Sequence, residues 1–147
     1  MSTVKSCLAR KSGQIYSLPS SASVLEALQM MRERRVRAVL VIDQGQLAGI
    51  ISQGDCAIRV LLPGRDASET RVSEIMTRDP VTVAPQHTID HCMKIMMTRS
   101  IRHLPVVDAG QVTGMVSIGD AVKDIMQQQG ELIKYLETYI KGHAVEY

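Results

Sequence analysis

Residues 49–55 read GIISQGD and residues 114–120 read GMVSIGD, so one seven-residue motif occurs twice, 65 positions apart. The same offset lays residues 15–55 over residues 80–120 without a gap, and eleven of the 41 aligned positions are identical. Unrelated segments would share roughly two or three identities, so the chain contains an internal repeat. We therefore expect function where the duplicated unit meets its copy, at a pseudo-twofold axis.

Each copy shows the same order of predicted elements, β-α-β-β-α. In the first copy the hydrophobic pattern predicts a strand, a helix with a Ser-x-x-Glu capping pattern from Ser23, a β-hairpin and a second helix, at residues 15–18, 23–36, 38–42 with 47–52, and 55–62. In the second copy the corresponding predictions are residues 81–83, 89–100, 104–107, 112–117 and 120–128. A short lead-in helix precedes each copy, at residues 4–8 and 72–77.

These elements divide the chain into four segments. We expect a first repeat with its own lead-in helix, a linker, a second repeat, and a C-terminal helical tail, at residues 3–62, 63–70, 71–128 and 129–147. The tail places Leu132, Leu136, Tyr139 and Ile140 on one face, with residues 141–142 as a stop. Such a helix can pack on its own body, on a dimer mate, or on an effector.

Composition excludes several classes of function. The chain of 147 residues has no Phe or Trp, four Tyr and nine Met, which argues against aromatic stacking of single-stranded nucleic acid. Its formal net charge of +2 gives no strong instruction about partners. Three cysteines without a C-x-x-C pair favour a reducing compartment, and no apolar run predicts a signal peptide or a membrane span. We therefore expect a cytoplasmic protein.

The repeated motif lies at a predicted strand-to-helix junction. There the free backbone N–H groups of a helix N-terminus favour an anion, and an ionised carboxylate can accept two hydrogen bonds from a vicinal diol such as ribose. A structural interpretation stands beside this one: Asp55 and Asp120 cap the following helices, Ser52 and Ser117 satisfy strand ends, and the glycines allow a bulge.

The repeat order, the paired motifs and the stretch IRHLPVVD at residues 101–108 resemble a tandem pair of CBS domains, over residues 3–128. The resemblance implies an α+β fold of two β-α-β-β-α repeats packed about a pseudo-twofold axis, with the sheets face to face and the helices outside. It also implies a non-catalytic regulatory module that binds adenosine-containing molecules such as AMP, ADP, ATP, NAD or S-adenosylmethionine in clefts between the repeats. Such pairs commonly form homodimers.

The resemblance also assigns residues to two clefts. In one cleft, Asp120 would bind the ribose hydroxyls, Ser117 the ribose or phosphate, and Arg102 and His103 the phosphates, with the base near Tyr16, Val36, Arg37 and Ala38. In the mirror cleft, Asp55 and Ser52 would bind ribose and Arg37 phosphate, with the base among Thr77, Val81, Ile101, Arg102 and His103. Because Ala38 stands where the second repeat has His103, we expect two non-identical sites, with the Asp120 cleft the better one.

Other signals are weaker. The basic run at residues 32–37 could bind nucleic acid, although arginines at a helix end usually form a solvated face. His87 and His91 beside Cys92 have nominal metal-ligand spacing but no evident third ligand, so no metal is expected. No phosphate-binding loop, nucleophile–base pair or oxyanion arrangement is readable, so we expect no catalysis. The alternative is a structural dimerisation module without a ligand. A sensor without an attached enzyme or transporter would act on an effector in trans.

Overall fold

The computed structural model describes residues 2–11 and 13–144, with side chains described as far as Lys141. Its elements follow the predicted order, with the lead-in helices included. They are α1 (Val4–Ala9), β1 (Ser17–Leu18), α2 (Val24–Arg34), β2 (Ala38–Asp43), β3 (Gln46–Ser52), α3 (Gln53–Cys56) with a π-helical turn (Ala57–Leu61), α4 (Val72–Ile75), β4 (Thr77–Arg78), α5 (Ile89–Arg99), β5 (His103–Asp108), β6 (Gln111–Ser117) and α6 (Ile118–Ala144).

Each repeat is built around an antiparallel hairpin, β2–β3 in the first and β5–β6 in the second. Strand β1 runs parallel to β2, and in the second repeat a single parallel bridge from Val83 to Val106 takes the corresponding place. The short strand β4 adds to the free edge of β3, with Thr77 paired to Ile50. The two hairpins contact each other through β3 and β6. The predicted α+β fold of two repeats is confirmed.

Several predicted boundaries were wrong. Two predicted strands shrink, to Ser17–Leu18 and to the one bridge at Val83, because these segments pair only briefly with their hairpins. The second lead-in helix ends at Ile75, and the residues after it form β4. The predicted helix at 55–62 begins two residues earlier and continues as the π-helical turn.

The C-terminal tail is not a separate helix. Helix α6 runs without a break from Ile118 to Ala144, so the predicted helix end at residue 128 and the predicted stop at residues 141–142 were both wrong. One glycine costs a helix only about 1 kcal/mol relative to alanine, and good helix formers surround Gly130 and Gly142. The helix therefore continues through both glycines.

The lead-in helices are exchanged between the repeats. Val4 and Cys7 of α1 belong to the core of the second repeat, with Ile89, Met96 and Leu104 among its members. Val72 and Ile75 of α4, with the following Met76, belong to the core of the first repeat. We expected each lead-in helix to belong to the repeat that follows it in the sequence. Instead, each packs in the core of the other repeat.

Backbone hydrogen bonds fix this exchange. The N–H of Val4 donates to the carbonyl of His87 at 2.8 Å, and the N–H of Val72 donates to the carbonyl of Ala22 at 2.8 Å. The bridge from Thr3 to Thr88 and the bridge from Ser23 to Arg71 sit at equivalent points of the two repeats. Each lead-in segment is thus docked on the opposite repeat at the start of that repeat's first long helix.

The first glycine of each motif makes room for a lead-in segment. A Cβ atom at Gly49 would lie 2.6 Å from the carbonyl oxygen of Thr77 and 2.7 Å from the sulfur of Met76. A Cβ atom at Gly114 would lie 3.0 Å from a methyl carbon of Leu8. Each glycine also flanks an irregularity in its hairpin, so the bulge predicted for these positions is present.

We predict that Gly49→Ala destabilises the protein more than Gly114→Ala. The Gly49 methyl group would meet backbone on an adjacent strand, which moves only with that strand, whereas the Gly114 methyl group meets a leucine side chain that can change rotamer. Overpacking of this kind costs about 1–3 kcal/mol. Urea unfolding of both variants measures the difference, and equal losses would contradict this account of the motif.

Candidate functional site

The serine and aspartate of each motif form a capping box at a strand-to-helix junction. Ser52 N–H donates to Asp55 Oδ2 at 2.9 Å, and Asp55 N–H donates to Ser52 Oγ at 3.1 Å. Ser117 and Asp120 make the same two bonds at the same two lengths. These motifs do cap their helices, but not with the predicted roles: Ser52 is the N-cap of α3 and Asp55 is the third residue of that helix, whereas we expected the aspartate to be the cap.

Capping leaves part of each carboxylate available. In each motif the serine N–H donates to Oδ2 of the aspartate. Within the described ranges, Oδ1 of Asp55 and Oδ1 of Asp120 accept no hydrogen bond. Both carboxylates are only partly exposed, at the start of a helix whose first N–H groups point the same way. The same side chain can therefore cap its helix and still accept hydrogen bonds from a ligand.

Asp120 also holds a lysine from the exchanged lead-in segment. Lys11 Nζ lies 2.7 Å from Asp120 Oδ2 and donates a second bond, also of 2.7 Å, to the carbonyl oxygen of Met115. Burial favours a higher pKa for Asp120, but the bonds from Lys11 and Ser117 outweigh it and hold that pKa below its usual value. Asp120 is therefore ionised at neutral pH.

Cationic side chains lie around His103, a neighbour of this carboxylate. His103 pairs with Ser117 across the β5–β6 hairpin, and Lys11, Arg102 and Arg37 all lie close enough to act on its imidazole electrostatically. Burial, together with these three cations, lowers the pKa of His103, although Asp120 acts in the opposite direction. Arg37 comes from the first repeat, so the cluster spans the two repeats. His103 is neutral at pH 7, and the fixed positive charge comes from the lysine and the two arginines.

The predicted base-binding residues have different degrees of exposure. Tyr16 and Val36 are half-buried and pack against the first core, and Arg37 is exposed. The guanidinium carbon of Arg34 lies 5.4 Å from the centre of the Tyr16 ring, which defines one face of that ring as a cation–π contact. Ala38 is fully buried in β2, opposite Ser52, so it presents no surface to a ligand in this conformation.

The mirror cleft is assembled differently. Thr77 lies on β4 beside β3, whereas Val81 and Ile101 are half-buried against the second core. Within the described ranges, the Asp55 side chain bonds only to its own capping partner Ser52, so this carboxylate has no counterpart of Lys11.

Sequence reasoning missed Lys11. The two lead-in segments could have been aligned with each other to find it, because Leu8 lies against Gly114 as Met76 lies against Gly49. Counting three residues onward from each gives Lys11 in one cleft and Asp79 in the other. The offset there is 68 rather than 65, so a repeat aligned without gaps did not match these positions.

The weaker signals fit structural roles. Burial raises the pKa of the Cys56 and Cys92 thiols to about 11, so neither is an activated nucleophile. His87 Nδ1 accepts the Ala84 N–H at 2.9 Å and its ring lies 4.5 Å from that of His91. No group of His, Cys, Asp or Glu in residues 2–11 and 13–144 has the arrangement of a metal site. Over the same part of the chain, no helix has the length and apolarity needed to cross a bilayer.

We predict that His103 makes the protein less stable in acid. Its folded-state pKa lies below the ordinary 6.5, so the unfolded chain takes up the proton first as the pH falls. The free energy of unfolding therefore falls progressively below pH 6.5, because the unfolded chain gains a proton that the buried His103 does not. Urea unfolding at about pH 7.5 and about pH 5.5 should show a smaller decrease for His103→Gln than for the unsubstituted protein. An identical decrease in both would contradict the burial of a neutral imidazole.

Comparison with known proteins identifies the family. The fold is a pair of repeats with exchanged lead-in helices and one acidic strand-to-helix junction in each. The family model of the CBS domain matches the chain twice, over residues 7–61 and 72–127. The chain therefore belongs to the CBS-domain family, and the resemblance predicted from its sequence is confirmed.

Relatives cover nearly the whole repeat pair. The CBS domain-containing protein YhcV of Bacillus subtilis is 31% identical over 129 residues, which are 88% of this chain and 89% of that protein. The mitochondrial CBS domain-containing protein CBSX3 of Arabidopsis thaliana is 34% identical over 82% of this chain, and the match spans 61% of its own length. A solved protein with CBS domains from Burkholderia ambifaria MC40-6 has a TM-score of 0.84 and 38% identity, covering 87% of this chain and 96% of that one.

Two solved relatives carry adenosine compounds. The CBS domain pair of protein MJ0100, 26% identical with a TM-score of 0.77, was solved with 5-methylthioadenosine and S-adenosyl-L-methionine. That match covers 87% of this chain and 98% of that chain. The CBS domain protein PAE2072 from Pyrobaculum aerophilum was solved with AMP. At 23% identity it shows a shared fold alone, with a TM-score of 0.72 over 80% of this chain and 88% of that one.

Proposed function

We propose that the protein is a non-catalytic regulatory module that binds an adenosine-containing nucleotide such as AMP, ADP, ATP or NAD in a cleft between its repeats. One observation carries the proposal. Each repeat presents a partly buried carboxylate at a helix N-terminus with one oxygen unoccupied in the described part of the chain. Lys11 is bonded to Asp120, and cations of both repeats, Arg37 and Arg102, lie around the neighbouring His103. A ribose diol and a phosphate are the groups that such a pair of subsites recognises.

Each residue of the cleft contacts a different part of the ligand. Asp120 accepts hydrogen bonds from the ribose hydroxyls. Arg102, His103 and Ser117, which lie at the start of β5 and the end of β6, donate hydrogen bonds to the phosphate. Arg37 reaches the same phosphate region from the first repeat, and Tyr16 with Val36 lies on the first repeat's side for the base. Binding of phosphate favours a protonated His103, because an anion raises the pKa of a neighbouring imidazole.

Ligand binding would regulate by shifting an equilibrium. The ligand touches both repeats, so it stabilises the arrangement of repeats that brings Asp120 and Arg37 to the same molecule. The shift cannot exceed the difference in ligand affinity between the two arrangements. An effector protein or a second copy of the chain would bind one arrangement of the repeats more tightly than the other.

We predict that thermal unfolding of the nucleotide-stripped protein responds to at least one of AMP, ADP, ATP, NAD and S-adenosylmethionine. At a hundredfold excess over the dissociation constant, one bound ligand adds about 2.7 kcal/mol, which for a chain of this size raises Tm by roughly 5–10 °C. Asp120→Ala should abolish most of the shift, because each lost charge-assisted bond is worth about 1.5–3 kcal/mol.

Asp120→Asn separates the cap from the ligand. The amide oxygen still accepts the Ser117 N–H, so this variant should keep most of the stability that Asp120→Ala loses, about 0.5–2 kcal/mol. It lacks the negative charge, so nucleotide binding should still weaken by about tenfold, the difference between a charge-assisted and a neutral hydrogen bond. Full nucleotide affinity in both variants would reject the site. No response to any of the five compounds would reject the function.

The second candidate function is a structural dimerisation module without a ligand. The capping boxes favour it, since they give both motifs a purpose without any small molecule. Exposed apolar side chains favour association as well: Leu61 and Met126, which are equivalent in the repeat, are 78% and 64% exposed, and Ile58, Leu62, Ile118 and Val122 are also exposed. We propose a homodimer through these helices in either case.

We predict that Leu61→Glu combined with Met126→Glu dissociates the homodimer, because two charges would then be desolvated in an apolar interface. Sedimentation velocity at micromolar concentration measures the effect. Leu25→Glu, at a position that is 40% exposed on α2, is the control and should leave the dimer intact. A monomeric unsubstituted protein, or a double variant that sediments as a dimer, would contradict this interface.

A further inference from the structure

We propose that Lys11 makes the Asp120 cleft select phosphorylated adenosine ligands over neutral or cationic ones. The inference rests on the proposed function and adds the chemical class of the ligand to it. Lys11 belongs to the exchanged lead-in segment and is absent from the set of residues that the motif itself predicts.

The geometry makes Lys11 a competitor of the ribose. A vicinal diol donates two hydrogen bonds, and Asp120 offers an unoccupied Oδ1 together with an Oδ2 that already accepts from Ser117 N–H and from Lys11. The second hydroxyl group therefore competes with the ammonium group for Oδ2. Bound ribose shifts the lysine away from a contact of 2.7 Å with a carboxylate whose side chain is only 19% exposed.

The displaced ammonium group needs another anion. A neutral nucleoside offers none, so its binding loses the Lys11–Asp120 ion pair without replacement. A ligand with a 5′-phosphate supplies acceptor oxygens in the region of His103, whose imidazole is close enough to Asp120, Lys11 and Arg102 for all three to act on it. Lys11 therefore exchanges one charge-assisted contact for another only when the ligand is phosphorylated.

The charges of the cleft favour the same ligands. Lys11, Arg37 and Arg102 bring three cations to the surroundings of His103, against the single carboxylate of Asp120. S-adenosylmethionine carries a sulfonium and an ammonium against one carboxylate, so it enters with net positive charge. AMP enters with a doubly ionised phosphate near neutral pH. Electrostatic attraction in a partly buried cleft therefore favours AMP over S-adenosylmethionine.

The mirror cleft provides the internal contrast. The position that corresponds to Lys11 there is Asp79, which is exposed, and Asp55 is bonded only through its capping box in the described part of the chain. The two clefts thus share their ribose acceptor and differ in the charge brought by the lead-in segment. The selection for phosphate belongs to the Asp120 cleft.

The test is calorimetric titration of AMP, adenosine and S-adenosylmethionine into the full chain carrying Asp55→Asn, which removes the charge of the mirror carboxylate. In this background AMP should bind at least tenfold more tightly than adenosine. Lys11→Met should reduce that ratio by roughly tenfold to a hundredfold, the worth of one charge-assisted bond, chiefly by strengthening the binding of adenosine, which no longer has to displace the ammonium group from Asp120. Lys11→Arg should keep the preference for AMP.

The control variant is Lys5→Met, which removes an exposed lysine of the same lead-in segment and should leave the ratio unchanged. An unchanged ratio in Lys11→Met would overturn the role of Lys11 and leave the proposed function standing. Binding that disappears on introducing Asp55→Asn would assign the ligand to the mirror cleft and overturn the inference too. If none of the three compounds binds the unsubstituted chain, the proposed site fails for them, and the inference fails with it.

Discussion

The rest of the structure depends on the exchange of lead-in helices between the repeats. Neither repeat completes its core from its own sequence, since Val4 and Cys7 are buried among residues of the second repeat and Val72 and Ile75 among those of the first. A half-chain would also be marginal by size alone, because small domains bury too little of their surface. The exchange therefore makes the two repeats one folding unit. It places a lead-in segment against the first glycine of each motif, and in the second motif also against the carboxylate of Asp120.

The two clefts share one architecture and differ in their side chains. Around Asp120, Lys11 and Arg10 extend from the end of α1 to α6, where Arg10 lies 2.9 Å from the buried carboxylate of Asp124. The amide of Gln128 and the hydroxyl of Ser2 add a further contact between the same two segments. A ligand that moves Lys11 thus acts on a segment bonded to the long helix α6. This connection gives the cleft a physical route to the surface of that helix.

The fold was largely readable from the sequence, and the site only in part. A repeat with eleven identities fixed the order of elements, and the periodicity placed the hairpins within one residue of their observed ends. The capping interpretation followed from residue types whose hydrogen bonds are local. Lys11 and the exchange were missed because they depend on which repeat a lead-in segment packs against, and local sequence carries no information on that choice. The unbroken α6 was missed because glycine weakens a helix without having to end it.

The central claim is that an adenosine nucleotide binds between the Asp120 motif and the exchanged lead-in segment. A crystal structure of the full chain with AMP tests it most directly. The account predicts ribose hydroxyls on Asp120, phosphate between Arg102 and His103, and Lys11 moved from the carboxylate to a phosphate oxygen. AMP found elsewhere, with the bond between Lys11 and Asp120 intact, would contradict it.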